Sequence, residues 1–280
     1  MNTVLADNNT EKIATEAKRI ANRLLVSAGE TEPSFDPWLI AEYMDVNVNY
    51  SDLLDTYGLS YDCPTGFFVE LPSQNKDSFG KITRQRYTLA HELGHVVIEK
   101  SRNQLQKQRS LNEKYVFLSE LTGKSMERFC DIFARELLMP EKSFLRFAHS
   151  IHMDNLGLSK LASIFQTSIP ATMMRVKETM AWPHILLSFP QIYTFDSNPT
   201  QNYINVESCL NCYTELKCLS FNGFEVLRNE VSSRQAGSNS SHTICFEDKK
   251  KKRIMRMSMV VASFHYKLHV LVTPLYYNDV

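Results

Sequence analysis

Two histidines four residues apart on an apolar-faced helix constrain this chain more than any other feature. In Leu89-Ala90-His91-Glu92-Leu93-Gly94-His95-Val96-Val97, the residues Leu89, Leu93, Val96 and Val97 recur at helical spacing. One helix face is therefore a core face. The i, i+4 spacing sets the imidazoles of His91 and His95 on the same side, one turn apart. Two nitrogens so spaced can reach one tetrahedral Zn²⁺ at about 2.0–2.1 Å. Glu92 stands beside the ion rather than on it, where a carboxylate can take a proton from a water bound to the metal. The competing reading is a pair of core histidines on an amphipathic helix.

A catalytic zinc needs a third protein ligand and an open position for water. The segment Met126-Glu127-Arg128-Phe129-Cys130-Asp131-Ile132-Phe133 supplies a candidate. Phe129, Ile132, Phe133, Leu137 and Leu138 give this second helix its core face, and Pro140 stops it. Glu127 and Asp131 are four apart and share another face. Glu127 suits the metal, and Asp131 suits the outward N–H of a ligating histidine, where it would fix the ring's tautomer. Glu120 and Glu136 are the alternatives. Glu136 lies on the opposite side of the helix from Glu127, so the two cannot serve one site. Solvated surface acids are the bland reading of both Glu127 and Asp131.

Around that pair the chain reads as mixed. Ile13, Ala17, Ile20, Ala21, Leu24 and Leu25 form a helical stripe, with Thr10 as a possible cap, an end near Ala28 at Gly29, and residues 1–10 disordered. Asp36-Pro37 starts a second helix. Val46 to Tyr50 alternates like a strand, 51–65 is turn-rich, and Gly66 to Leu71 is a strand ending at Pro72. That last strand precedes the zinc helix. It is a candidate for the sheet-edge strand that holds a substrate backbone in zincin-type peptidases, with an ordinary core strand the equal alternative. Thr83 is the expected N-cap of the zinc helix. Lys100 to Asn112 reads as a loop or frayed helix.

Beyond Pro140, Leu158 to Val176 reads as two short helices around a tight turn at Gln166. Ala162 and Ile169 sit where a helix-turn-helix wants a small and an apolar residue. The second helix, Pro170 to Glu178, carries only Arg175 and Lys177 as cations, too few to neutralise a phosphate backbone. A helical hairpin of architectural role is the favoured reading. From His184 the chain turns β-rich: His184–Phe189, Leu216–Phe221, Thr243–Phe246, Ile254–Ser263 and Tyr266–Val272 look like strands, the last two a hairpin. Phe224 to Val231 reads as a helix and 232–241 as a polar loop. Cys209-x-x-Cys212 with Cys218 is a weak metal or redox pattern without a second matching pair. Lys249 to Arg253 reads as a solvated turn.

Bulk composition bounds the rest. Lys+Arg and Asp+Glu both total 31, which argues against non-specific nucleic-acid binding. Six cysteines in 280 residues are too sparse for a disulfide scaffold. There is no secretory h-region and no membrane-length apolar run. A cytoplasmic protein with reduced thiols is expected.

The run Arg84-Gln85-Arg86-Tyr87-Thr88-Leu89-Ala90-His91-Glu92-Leu93-Gly94-His95, then Glu127-x-x-x-Asp131 and Phe133-Ala134-Arg135-Glu136-Leu137-Leu138-Met139-Pro140, resembles the ImmA/IrrE family of zinc metallopeptidases. The resemblance is densest over 80–140 and extends over 10–180. Carried onto this sequence, it implies one Zn²⁺ per chain on His91, His95 and Glu127, with Glu92 as the catalytic carboxylate; Asp131 fits a position where members carry Asn or Asp. The connection between the two motifs, 100–124, is longer than usual. The implied substrate is a helix-turn-helix repressor of the XRE type, cut to derepress stress-response or mobile-element genes. A regulatory protein that sequesters the repressor without cutting it is the alternative. The implied fold class is α+β: a zincin-like peptidase domain over 1–145, with a small sheet and two zinc-bearing helices; a helix-turn-helix-like segment over 146–183, with direct DNA contact not expected; and a β-rich C-terminal domain over 184–280, GAF-like by resemblance to longer, IrrE-like members.

Overall fold

The structure is a computed structural model. It describes residues 2–52, 58–73, 79–107, 113–152, 155–182, 185–190, 205–209, 242–248, 253–264 and 267–274. These divide into two compact units, one of residues 1–143 and 164–168, the other of 144–163 and 169–280.

In the first unit, α1 (Asn2–Ser27) buries Ile13, Ala17, Ile20, Ala21 and Leu25. It begins at Asn2, so the expected disorder of 1–10 and the cap at Thr10 are both corrected. Polar residues in that first stretch do not break the helical backbone, because it continues a helix already anchored by its stripe. The helix ends as its glycine requires. Gly29 takes φ +79°, its N–H reaches the Val26 carbonyl, and the Glu30 N–H reaches the Leu25 carbonyl. Then α2 (Pro37–Tyr43) is capped by Asp36, whose carboxylate accepts from the Trp38 N–H, with Pro37 in the first turn.

Three strands follow: β1 (Val46–Ser51), β2 (Leu59–Cys63) and β3 (Gly66–Pro72). Their order is β1-β3-β2, with β1 and β3 parallel and β2 antiparallel to β3. This corrects two expectations. β3 is the central strand, buried at Val69 and Leu71. The turn-rich stretch hides β2, a strand at the sheet's edge. Its sequence, Leu-Ser-Tyr-Asp-Cys, carries too little apolar alternation to be read alone.

The helix of the two histidines is longer than its periodic core. α3 runs Phe79–Lys107. Thr83 lies buried inside it rather than capping it, and of the two readings of the stretch from Lys100, loop or frayed helix, the helical one holds to Lys107. Leu89, Ala90, Leu93, Val96, Val97 and Ile98 are its core face. α4 (Glu113–Ser119) and α5 (Gly123–Leu138) complete the layer, with α5 packing on both α3 and α1. Ser125 holds the start of α5: its hydroxyl accepts from the Thr122 N–H and donates to the Thr122 carbonyl. Phe129, Phe133, Leu137 and Leu138 are buried, each side chain contributing about 1.5–3 kcal/mol. Glu136 is buried on the α1 side, accepting from Asn22 Nδ2 and the Glu141 N–H, so it serves as a brace between helices.

The second unit contains α6 (Glu141–Ala148) over most of its length, then α7 (Asn155–Phe165) up to its last turn, and α8 (Ile169–Thr179). Gln166 turns the chain between α7 and α8 with φ +50°. A five-stranded antiparallel sheet follows, of β4 (Ile185–Pro190), β5 (Asn205–Cys209), β6 (His242–Asp248), β7 (Arg253–Phe264) and β8 (Lys267–Pro274). Its order is β5-β4-β8-β7-β6, and β7 and β8 pair as a hairpin. The strand expected at 216–221, the helix at 224–231, the loop at 232–241, Cys212, Cys218 and Lys249 to Lys252 lie outside the described residues. The whole is α+β: eight helices and two sheets among the described residues. No helix among them is long and apolar enough to cross a membrane.

Candidate metal centre

Two helices bring the donors together. α3 presents His91 and His95 from its non-core side, their rings 5.1 Å apart and edge-on. α5 crosses against that side. The crossing is close because residue 94 is glycine: a Cβ there would stand 2.9 Å from Cys130 Cα and 3.1 Å from Cys130 Sγ. Any larger residue would push α5 away and carry Glu127 with it.

At this separation Glu127 reaches both rings. Its Oε2 is 3.3 Å from His91 Nε2, and its Oε1 is 3.6 Å from His95 Nε2. The two imidazoles are 18% exposed and the Glu127 side chain 54%. Two Nε2 atoms and a carboxylate therefore face one small region with an open side. Glu120, the other alternative, is an exposed residue just after α4, and Glu136 faces α1.

Asp131, one turn along α5, meets the other edge of His91. Its Oδ1 is 3.1 Å from His91 Nδ1. The same oxygen accepts from the Tyr87 hydroxyl at 3.1 Å. A carboxylate on Nδ1 keeps the proton there and leaves Nε2 with its lone pair facing Glu127. Burial lowers the basicity of His91, but the hydrogen bond and charge of Asp131, with Glu92 and Glu127, outweigh it and hold the ring above its ordinary pKa. Burial would raise Asp131, yet the bond to His91 and the nearby Arg135 hold it below the usual carboxylate value. Among the described residues His95 has no such partner, and burial lowers it. Burial and the Asp131 charge push the Tyr87 hydroxyl up, so it stays a donor.

Glu92 is nearly buried, and its Oε2 accepts from Ser60 Oγ at 2.8 Å. Ser60 belongs to β2. The edge strand thus runs beside the site, and Gly58 lets it come close: a Cβ there would meet Thr88 Cγ2 at 2.5 Å and Glu92 Oε1 at 3.1 Å.

Four residues here escape a reading of the sequence. Tyr87 precedes His91 by one turn and was visible only as part of the lead-in. Ser60 and Gly58 sit in a stretch with no periodic signal. Cys130 follows the core residue Phe129 with no motif of its own to mark it. It is buried, yet its Sγ and a ring nitrogen of each histidine lie within 4.8 Å of one another. Burial pushes its thiol up, and the charges of Glu127, Glu92 and Asp131 add to that.

Residues 41–177 match the model of the peptidase M78 family, described as the IrrE N-terminal-like domain. They belong to that family. The match spans both donor-bearing helices of the IrrE-like domain and bears out the resemblance drawn from the motifs. No curated protein matches the chain. Among solved structures, a Mycobacterium tuberculosis transcriptional regulator is similar at 12% identity and a TM-score of 0.53, covering 95% of this chain and 81% of that one. At that identity the likeness concerns fold alone.

The donor set fits a borderline divalent ion. Two neutral imidazoles and a carboxylate on an open-sided site are the ligand classes zinc takes in hydrolytic centres. In α8 the polar residues have another fate. Arg175 is 1% exposed and lies 3.5 Å from Glu178, buried with Thr172, Met173 and Val176. It is not available to a phosphate backbone.

Proposed function

We propose that this protein is a zinc-dependent endopeptidase that cleaves a helix-turn-helix repressor of the XRE type in the cytoplasm, derepressing stress-response or mobile-element genes. The observation that carries the reading is the convergence of His91 Nε2, His95 Nε2 and the Glu127 carboxylate beside Glu92. His91, His95 and Glu127 would hold one Zn²⁺ per chain. Bound there, the ion would supply Lewis acidity and bring the pKa of water towards about 7.

The residues of the chain do the rest. Asp131 and Tyr87 hold His91 in the tautomer that leaves Nε2 unprotonated. Glu92 accepts the proton of the attacking water and returns it to the leaving amine. Ser60, donating to Glu92 Oε2, keeps that carboxylate oriented. β2, at the edge of its sheet, would pair with an extended substrate backbone. On this reading residues 1–145 form the peptidase domain, 146–183 an architectural helical segment, and 184–280 a GAF-like sensor of an inducing signal.

The test is to incubate zinc-loaded protein with the repressor encoded nearest its gene and map new termini by mass spectrometry. Glu92→Gln should keep its zinc and cut at least a hundredfold more slowly, about the contribution of a positioned general base. Cleavage by that variant at the wild-type rate would overturn the assignment. A repressor that dissociates without fragmenting would favour sequestration instead.

A further inference from the structure

The edge strand β2 has two unlike faces, and the chemistry proposed above uses one of them. Ser60 and Asp62 point toward α3: Ser60 Oγ donates to Glu92 Oε2 at 2.8 Å, and Asp62 Oδ2 accepts from Asn103 Nδ2 at 2.7 Å. Leu59 and Tyr61 point the other way, because side chains alternate along a strand. The ladder agrees. Ser60 stands opposite buried Val69, and Tyr61 opposite Phe68, with the Tyr61 and Phe68 rings stacked at 5.5 Å and their planes 8° apart. Leu59 is 46% and Tyr61 39% exposed. Charged side chains commonly guard a sheet edge. Here the strand's charge, Asp62, lies on the α3 side, and the outer row presents two large apolar groups.

A strand laid along β2 takes up this alternation. Whichever way it runs, a residue opposite Ser60 faces α3 and Glu92, and its two neighbours face outward opposite Leu59 and Tyr61. Every peptide bond in such a strand joins one inward residue to one outward residue. A bond brought to Glu92 is therefore flanked by an outward side chain that meets Leu59 or Tyr61. Directly opposite residues hold their Cβ atoms about 4.5–5.5 Å apart, and a diagonal neighbour stays within the reach of an aromatic ring. A large apolar side chain there would cover the outer row, whereas a charged one would lose water without gaining a partner. Glu70, opposite Leu59 on β3, is one strand farther from the added chain.

We propose that Leu59 and Tyr61 select the substrate, so that the protein cuts beside a large apolar residue held on the outer face of the sheet. The proposal rests on the peptidase reading and on pairing at β2, and it adds the chemistry of the residue chosen. Main-chain bonds at the edge hold any extended segment, and the alternate side chains discriminate.

The test gives zinc-loaded full-length protein a pool of proteome-derived peptides and maps the cut bonds by mass spectrometry. Leucine, isoleucine, methionine or an aromatic residue should be enriched at one position directly flanking the cut. A synthetic peptide pair with leucine or serine at that position should differ roughly fivefold in kcat/KM, the upper end of one cross-strand pair. The double variant Leu59→Ser/Tyr61→Ser should erase that difference. Of Leu59→Lys and Tyr61→Lys, the one opposite the selected residue should move the preference toward Asp or Glu, which reads the contact even where the double variant folds poorly. Cutting with no apolar preference at either flanking position, or a leucine preference untouched by all these variants, would overturn the specificity and leave the peptidase reading standing. A wild type that cuts neither the pool nor the repressor would overturn both.

Discussion

The pair α3 and α5 and the pair α7 and α8 look alike in sequence. Each is two amphipathic helices that carry charged residues beside a core-forming face. Structure treats those charges in opposite ways. On α5, Glu127 and Asp131 keep side-chain exposures of 54% and 46% and turn to the histidines of α3. On α8, Arg175 is swallowed among Thr172, Met173 and Val176 and pairs locally with Glu178. A charge on a helix thus acquires a role only from what the neighbouring element presents to it. In α5 the neighbour presents imidazoles across an open gap. In α8 the burial leaves the cation with an architectural task.

The largest effect that would break this contrast is at Glu127. Glu127→Ala should leave the chain folded and strip it of tightly held zinc, read as metal per chain after dialysis, with cleavage lost in parallel. Full zinc retention would mean that α5 presents no ligand there. Next is the crossing itself. Gly94→Ala should force α3 and α5 apart and lower stability by about 1–3 kcal/mol, the usual cost of overpacking, in urea unfolding. An unchanged midpoint would show that the helices cross with room to spare.

Smaller still is the outer contact. Asp131→Asn should weaken zinc binding by roughly 10–100-fold, and Tyr87→Phe by less, in chelator competition. The sign of the pH effect follows from the two shifts. Without metal, His91 is held above its ordinary pKa, so its contribution is fully present below the unfolded value and lost as pH rises through the folded one. Asp131 is held below its ordinary pKa, so its contribution is present above the unfolded value and lost as pH falls through the folded one. The metal-free Asp131→Asn variant should therefore lose most stability, relative to wild type, between those two limits. A difference constant across pH would deny the pair. The smallest effect belongs to α8. Lys177→Ala should change stability by no more than about 0.5 kcal/mol and leave any salt-dependent retention on DNA unaltered. A large fall in retention would give α8 a nucleic-acid role and bring the two helix pairs closer in kind.

Much of the first unit was legible because its signals are local. The stripe of α1, the Asp36-Pro37 start, the alternation of β1 and the apolar run of β3 all depend on residues within a turn or two of one another. The same holds for the family motifs. Reading failed where an element owes its existence to a distant partner. β2 has a weak pattern and forms because β3 offers it a ladder. The first turn of α3, ahead of Thr83, and its continuation past Lys100 add to a helix that tertiary packing has already nucleated.

Sequence by itself determined which side chains share a face: His91 with His95, Glu127 with Asp131, and each set opposite a core stripe. Helical periodicity suffices for that, since it is fixed by backbone geometry. Only the tertiary structure decided how one face meets another. The crossing allowed by Gly94 sets Glu127 against both Nε2 atoms and Asp131 against Nδ1 of His91 alone. It also brings Cys130 up behind the rings, and the β2 edge alongside Glu92. The azimuth and offset of two packed helices depend on side-chain volumes summed over the whole interface, and no local pattern in the chain encodes that sum.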